Sequence, residues 1–161
     1  MPTRPTTPTV IGWRERAGLP DLDIPELVAK IDTGARTSAI HATRIVPFEK
    51  DGESWVRFHV PHAGLPRAFD CEAVLLGQRE ITNTSGKPEL RHVISTGLVI
   101  AGRRWKIELS LAHRGGMRHP IILGRTAIRK RNILVDAGRS FMTRPRPTHK
   151  AKSPSDAKDA I

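Results

Sequence analysis

The sequence predicts an all-β closed barrel with one short helix near the C-terminal end of the domain. Three observations support this fold class. Short apolar runs, several of them alternating with polar residues, recur along the chain and are typical of strands with one buried face. Tight turns that contain glycine lie between many of these runs. A single stretch, residues 125–131, has room for one or two helical turns. Many short strands with one short helix indicate a closed or nearly closed β-barrel.

Each strand is placed by its apolar residues and by the turn that ends it. Turn chemistry at residues 18–21 separates the first two strands, and residues 50–53 and 101–104 form hairpin turns. Residues 77–88 are polar, and we interpret them as a mobile loop or a hairpin tip. Strands are predicted at residues 10–15, 26–32, 38–48, 55–60, 69–76, 94–100, 105–111, 121–123 and 132–135.

The chain is expected to form one folded domain with two tails. A length of 161 residues suits a single domain with a modest core. Residues 1–9 alternate Pro and Thr and are expected to be an extended, poorly ordered arm. Residues 10–143 hold the predicted domain. Residues 144–161 are rich in Pro, Lys, Ser, Thr and Asp, and we expect a disordered basic tail there.

Charge and cysteine content bear on partners and location. The formal net charge of +11 favours an acidic partner, which on charge alone is nucleic acid, an anionic surface or an acidic protein. The low aromatic content of 4% argues against stacking platforms for single-stranded nucleic acid. Cys71 is the single cysteine, and the sequence shows neither an apolar signal segment nor a stretch that could span a bilayer. We therefore expect a cytoplasmic protein with no membrane partner.

The stretch most informative about function is the turn Asp32-Thr33-Gly34. An apolar lead-in that ends at Ile31 delivers the carboxylate of Asp32 to the bend. Gly34 allows a close backbone approach, and Thr33 offers a hydroxyl that can fix the turn. Asp and Gly are also ordinary turn residues, so the tripeptide alone is explained by a turn without a function.

Longer motifs around this turn resemble a known family. Ser38-Ala39-Ile40 follows the turn, and residues 120–128 form a second signature, an apolar strand that ends in Gly-Arg and a short helix. The two signatures resemble those of retropepsin-like aspartic peptidases and occur in the same order. With residues 10–15 and 133–141, they resemble a bacterial family commonly labelled ATP-dependent zinc proteases and now grouped with these peptidases. The resemblance covers roughly residues 10–143.

This resemblance implies a retropepsin-like barrel and an aspartic endopeptidase, a hydrolase of peptide bonds. In such enzymes two carboxylates share a proton, so that one activates water while the other protonates the peptide carbonyl. The chain has one Asp-Thr-Gly, so the resemblance implies a homodimer that brings Asp32 from two subunits together. Asp32, Thr33 and Gly34 would be catalytic, and the substrate would be a protein or peptide, an acidic one on charge grounds.

The same resemblance implies further roles around this turn. The segment 77–88 would supply a flap over the substrate, although a surface loop without a role also explains it. The implied substrate-binding residues are Ala35, Arg36, Thr84, Ser85 and Gly86. The residues expected to support the site structurally are Gly124, Arg125, Thr126 and Asp136.

One position departs from the family pattern. Viral retropepsins commonly carry Asp where this chain has Arg36, and they pair it with the Arg of the Gly-Arg signature, which here is Arg125. Two arginines would repel each other, so that ion pair cannot be carried over. Asp136 is a substitute partner for either arginine on charge grounds alone. Arg36 is equally well explained as a solvated surface charge or as a substrate contact.

Metal and cofactor motifs are absent from the sequence. It has no His-Glu-x-x-His, no Cys-x-x-Cys and no Gly-x-x-x-x-Gly-Lys-Ser/Thr, so we expect neither a metal nor a cofactor. His59, His62 and Cys71 are the nearest approach to a ligand cluster, but their spacing fits no standard site. A Cys71–histidine nucleophile is a second enzyme hypothesis, although the apolar strand pattern around Cys71 favours an inert buried thiol.

A binding module is the alternative from a different class. It would be a catalytically inactive adaptor on the same fold, associated with the ribosome, nucleic acid or acidic peptides. Relatives of the family are associated with an enzyme that adds glutamates to a ribosomal protein, which makes an acidic peptide a conjecture consistent with the charge. The basic residues behind this alternative are Arg125, Arg129, Lys130, Arg131, Arg144, Arg146, Lys150 and Lys152.

Overall fold

The chain folds into one ten-stranded sheet with one short α-helix among the residues that the structure describes. The structure is a computed structural model that describes residues 7–61, 63, 65–67, 69–83, 85–113 and 118–143. The all-β prediction is confirmed, and α1 (Arg125–Ile128) lies where the short helix was predicted. The strands are β1 (Thr9–Leu19), β2 (Ile24–Asp32), β3 (Ala39–His41), β4 (Thr43–Lys50), β5 (Glu53–His59), β6 (Cys71–Thr82), β7 (Pro88–Ile100), β8 (Arg103–Ala112), β9 (Ile121–Gly124) and β10 (Ile133–Ser140).

The sheet closes on itself through its longer strands. Its order is β10-β1-β2-β9-β3-β8-β7-β6-β5-β4, and β1 also pairs with β7 at Gly18 and Val99. A side chain at Gly18 would place its Cβ 2.8 Å from the carbonyl oxygen of Pro25. Only glycine therefore lets β1 lie this close to the backbone of β2. The strands β1, β2, β9, β3, β8 and β7 therefore form a ring.

The core is built from the apolar faces of these strands. Along β8, alternate residues from Trp105 to Leu111 are buried, while Lys106 and Glu108 between them are exposed, as the period-two pattern predicts. The indole nitrogen of Trp105 donates to the carbonyl oxygen of Ala127 at 2.8 Å, which ties α1 to the sheet. The largest fully buried side chains are Phe58, Ile11, Leu19, Leu22, Ile24, Ile40, Ile94, Leu98, Leu109, Ile121, Leu123 and Glu15.

Several strand boundaries differ from the sequence prediction: β1 runs on to Leu19, β7 begins at Pro88, and the stretch 38–48 divides into β3 and β4. The polar segment 77–82 belongs to β6, which pairs with β7 from Val74 opposite Ser95 to Thr82 opposite Pro88. Both arms of this hairpin carry exposed side chains near the tip, so their polar composition reflects solvent exposure and only residues 83–87 form the connection. The last strand, β10, extends to Ser140 because it pairs in parallel with β1.

Some expectations concern residues that the structure does not describe. The tail predicted over residues 144–161 and residues 1–6 of the predicted arm lie outside the described residues. Thr9, the last residue of that predicted arm, is the first residue of β1. Across the described residues, none of the helices has the length and apolar character needed to cross a membrane.

Candidate functional site

The Asp32 turn lies at the end of a strand inside the ring. Asp32 is the last residue of β2 and stands opposite Gly124 in the parallel pairing with β9. The amide of Gly34 donates to Asp32 Oδ1 at 3.1 Å, and the amide of Ala35 donates to the Asp32 carbonyl oxygen at 3.1 Å. These short-range bonds hold the half-buried carboxylate against its own turn.

The start of α1 holds the segment that follows the turn. The amide of Arg125 donates to the Ala35 carbonyl oxygen at 2.8 Å. The amide and the hydroxyl of Thr126 both donate to the Arg36 carbonyl oxygen, at 3.2 and 2.7 Å. The first amides of a helix lack partners within the helix, so this loop supplies their acceptors.

Gly124 allows the loop to lie directly against β9. Its amide donates to Ser38 Oγ at 2.9 Å. A Cβ at this position would lie 2.5 Å from the Thr37 carbonyl oxygen and 2.8 Å from that of Ala35. The Gly-Arg signature is therefore a structural partner of the Asp32 turn, and the structure brings the two predicted motifs together.

The side chain of Arg125 also contacts the turn. Its Nη1 donates to the carbonyl oxygens of Thr33 and Gly34 at 3.3 and 3.2 Å. Asp136, the suggested partner on charge grounds, instead forms an ion pair with Arg139 at 3.6 Å. The suggested pairing of Asp136 with Arg125 was wrong. Asp136 lies on β10, and the strands β1 and β2 separate β10 from β9, which leads into Arg125. Backbone carbonyls, which no side-chain motif reveals, take the place of the missing carboxylate.

A cleft of about 1040 Å³ opens beside this turn. Its walls are the loop 34–38, the β6 arm at 79–82, the outer part of β8 at 106–110, and the helix end at Thr126 and Arg129. The predicted flap thus contributes its strand arm to the cleft. Its tip residues Ser85 and Gly86 are exposed and are not among the lining residues, and Thr84 lies outside the described residues.

The described walls of the cleft carry more positive than negative charge. Arg36, Lys106 and Arg129 are exposed and form no ion pair with another described residue. Arg79 and Glu108 face each other in a charge-assisted hydrogen bond. That bond from Arg79 lowers the pKa of Glu108 and raises the pKa of Arg79. Three cations are therefore free to meet an anionic ligand, and Glu80 is the remaining acidic residue of the lining.

Sequence reasoning named two of these cations and missed two. Arg36 was noted as a departure from the family pattern and Arg129 as part of a basic stretch. The alternation along β8 predicts Lys106 on an outward face, because it lies between two buried residues, but it does not indicate that this face lines the cleft. Nothing local to Arg79 indicates its partner, since Glu108 lies 29 residues away in the chain.

Cys71 has the properties of a structural cysteine. It is buried, and its Sγ lies 3.5 Å from the Leu22 carbonyl oxygen. Burial, assisted by the charges of Asp23 and Asp70, raises the pKa of the Cys71 thiol to about 12. A thiol with this pKa is protonated at neutral pH, so the Cys71 nucleophile hypothesis is not supported.

The suggested His59–His62–Cys71 ligand cluster finds no support either. His59 Nδ1 lies 2.7 Å from the Phe69 carbonyl oxygen, a hydrogen bond within the protein. His62 lies outside the described residues. The described part of the chain contains no group of three or more His, Cys, Asp or Glu side chains arranged to hold a metal ion.

The fold and the braced Asp-Thr-Gly turn together define a retropepsin-like protein. The chain belongs to the RimB-like family, whose model is described as "Retropepsin-like aspartic endopeptidase RimB" and matches residues 10–146. The family predicted from the sequence motifs is therefore confirmed. A crystal structure of a Legionella pneumophila protein with unknown function has the same fold, with a TM-score of 0.72 and 30% sequence identity over 84% of this chain and 98% of that chain.

Curated relatives carry a different kind of name. A "Probable alpha-L-glutamate ligase" of Shewanella pealeana is 37% identical over 82% of this chain and 29% of its own length. Proteins with the same name from Desulfotalea psychrophila and Parasynechococcus marenigrum are each 40% identical, over 78% and 81% of this chain. The chain thus spans between 27% and 29% of the length of these relatives.

These names overturn the prediction of an aspartic endopeptidase. The curated relatives are named as ligases, so the predicted hydrolase class and the shared-proton mechanism at Asp32 are withdrawn. The prediction failed because Asp-Thr-Gly specifies the geometry of a turn. A fold can retain this turn in proteins that take part in different reactions. In this structure the turn geometry is accounted for by the Gly34 amide and by the bonds from Arg125.

Proposed function

We propose that this chain is a domain that binds acidic, glutamate-containing peptides and works with an alpha-L-glutamate ligase. The observation that carries the proposal is the cleft beside the Asp32 turn, with exposed and unpaired Arg36, Lys106 and Arg129 in its described walls. The curated relatives are named as alpha-L-glutamate ligases, and these names are the reason for proposing glutamate as the acidic residue of the peptide. Because the chain spans less than a third of those relatives, we assign it peptide binding and not the ligation itself.

The charges of the cleft suit a run of carboxylates. Arg36 comes from the loop after the turn, Lys106 from β8 and Arg129 from the end of α1, so the three cations surround the space from different elements. Each contact between exposed charges is weak, about 0.2–1 kcal/mol. A peptide with several carboxylates engages them together, which favours an oligoglutamate over a single glutamate.

The turn has a supporting role in this proposal. Gly34 and Ala35 line the cleft, whereas Asp32 accepts bonds from their amides. We assign Asp32 and Thr33 to positioning this wall and Arg125 to bracing it. Of the residues named from the sequence, Gly34, Ala35, Arg36 and Thr126 line the cleft, and we assign them contact with the peptide; Ser85, Gly86 and Asp136 do not line it and have no role in this proposal.

A matched pair of neighbouring residues tests the proposal. Arg129 lines the cleft and the adjacent Lys130 does not, although both are exposed. Fluorescence anisotropy with labelled hexaglutamate should show binding that weakens by about threefold in Arg129→Gln and stays unchanged in Lys130→Gln. An equal loss in both variants, or tighter binding of a short RNA than of hexaglutamate, would contradict peptide recognition by the cleft.

Three further expectations remain proposals. We propose a homodimer that brings two Asp32 turns together, and sedimentation analysis over a range of concentrations tests it.

Association with nucleic acid or the ribosome is the competing outcome of the anisotropy test with hexaglutamate and a short RNA. A cytoplasmic location is proposed on the sequence grounds already given.

A further inference from the structure

A second group of cations lies outside the cleft, where β1 faces β2. Arg14 and Lys30 stand directly opposite each other in the register of these strands, so their side chains share one face. The His119 ring packs edge-on against the Trp13 ring, with centroids 5.9 Å apart. Arg118 adjoins His119 in the chain. We call Arg14, Lys30, Arg118 and His119 the His119 cluster; none of them lines the cleft.

Arg14 is held in a fixed position at the centre of this cluster. Its guanidinium lies 4.8 Å from the Trp13 ring centroid and 5.1 Å from that of Phe141, so aromatic rings stack on its faces. Stacking leaves the edge of the guanidinium for hydrogen bonds. The Arg14 Nε is buried and has no acceptor among the described residues. A buried N–H without an acceptor is costly, and a ligand oxygen would satisfy it only after the Arg14 side chain shifts to expose this nitrogen.

The charges around the cluster are uncompensated. Arg14, Lys30 and Arg118 form no ion pair with a described carboxylate. Burial and the positive charges of Lys30, Arg14 and Arg118 lower the pKa of His119. Glu15, the neighbour of Arg14 in β1, is fully buried, and its carboxylate accepts hydrogen bonds from backbone amides. The face shared by Arg14 and Lys30 therefore presents positive charge.

We propose that the His119 cluster is a second anion-binding site, which takes an oxyanion such as a carboxylate or a phosphate group. Arg14 donates to it through the edge of its guanidinium, Lys30 supplies a mobile positive charge, and His119 donates a ring N–H. The planar edge of an arginine matches the oxygens of both groups. This site is independent of the cleft and of the function proposed for it.

Nuclear magnetic resonance of the His119 ring tests the site directly. The full chain is titrated with inorganic phosphate and, separately, with acetate, at neutral pH and constant ionic strength set with chloride. The His119 signal, identified by its loss in His119→Gln, should shift to saturation, and the pKa of His119 should rise because a bound anion favours the charged ring. Saturation by phosphate alone assigns a phosphate group, and saturation by acetate assigns a carboxylate.

Variants separate a built site from general attraction to a basic protein. Arg14→Gln and the partly exposed Lys30→Gln should each weaken binding by about fivefold. Arg16→Gln is the matched control, because Arg16 lies on the same strand and stacks on Phe141 at 4.9 Å but already pairs with Glu26. It should leave binding within about twofold of the wild type. A shift that never saturates with either anion, or equal losses in all three variants, would overturn the proposal.

Discussion

The ion pair between Arg79 and Glu108 sets how much positive charge the cleft presents. Both side chains line the cleft, and the bond between them neutralises an arginine that would otherwise face the ligand. Because the pKa of Glu108 is lowered, the ion pair is fully formed at pH values above the ordinary pKa of a glutamate. It is lost only as the pH falls through the lowered pKa of Glu108. At neutral pH, therefore, Arg79 is occupied.

Releasing Arg79 should strengthen the binding of acidic peptides. Glu108→Gln removes a negative charge from the cleft and frees the guanidinium, so we expect hexaglutamate to bind about threefold to tenfold more tightly in anisotropy measurements. Glu72→Gln is the control, because Glu72 also forms an ion pair, with Lys50, but does not line the cleft. Unchanged binding in Glu108→Gln would argue that the peptide does not reach this wall.

Cys71 should resist alkylation in the folded protein. Its pKa of about 12 leaves almost no thiolate at neutral pH, and its burial blocks access. Iodoacetamide labelling followed by mass spectrometry should therefore be slow in native buffer and fast in denaturant, and Cys71 is the single cysteine in the chain. Rapid native labelling accompanied by loss of peptide binding would contradict a structural role.

At the level of elements, the contact between β9 and the loop after the turn shapes the cleft wall. Gly124 lets the loop approach the strand, and the first residues of α1 then hold it. The same contact fixes Ala35 and Arg36, which line the cleft. A change at this contact should therefore affect stability and peptide binding together.

Gly124→Ala tests this contact. The added Cβ would lie 2.5 Å from the Thr37 carbonyl oxygen, so we expect a loss of about 1–3 kcal/mol in the free energy of unfolding. In Gly138→Ala the nearest atom is the Asp136 carboxylate oxygen at 3.4 Å, and the loss should stay below about 0.5 kcal/mol. Chemical denaturation measures both, and equal losses would show that the close approach does not matter.

The sequence predicted local features well and distant pairings poorly. The hairpin turns, the strand alternation from Trp105 to Leu111 and the position of α1 depend on neighbouring residues, and the structure has them. The length of β6 was missed because its polar outer arm is stabilised by pairing with β7 and not by burial. The Arg79–Glu108 pair and the bonds from Arg125 to the turn join residues far apart in the chain, so no local pattern could reveal them.

For the whole molecule, the net charge of +11 is spread over more than one surface. The cleft and the His119 cluster both present unpaired cations, and general attraction to any polyanion is expected from such a charge. Specific recognition therefore requires that an acidic peptide bind at one defined site and not over the whole basic surface. The cleft is favoured because its three free cations surround a space of about 1040 Å³.

Photo-cross-linking locates the place on the protein where an acidic peptide binds. A hexaglutamate peptide with a terminal photoreactive group is irradiated with the full chain, and mass spectrometry locates the attachment sites, with hexaglutamine as the control. Because the cleft binds the peptide, we expect attachment within residues 34–38, 79–82 and 106–110, with far less for the control. Attachment mainly at Trp13, Arg14, Lys30 and His119, or equal labelling by both peptides, would contradict the cleft as the site of acidic peptide binding.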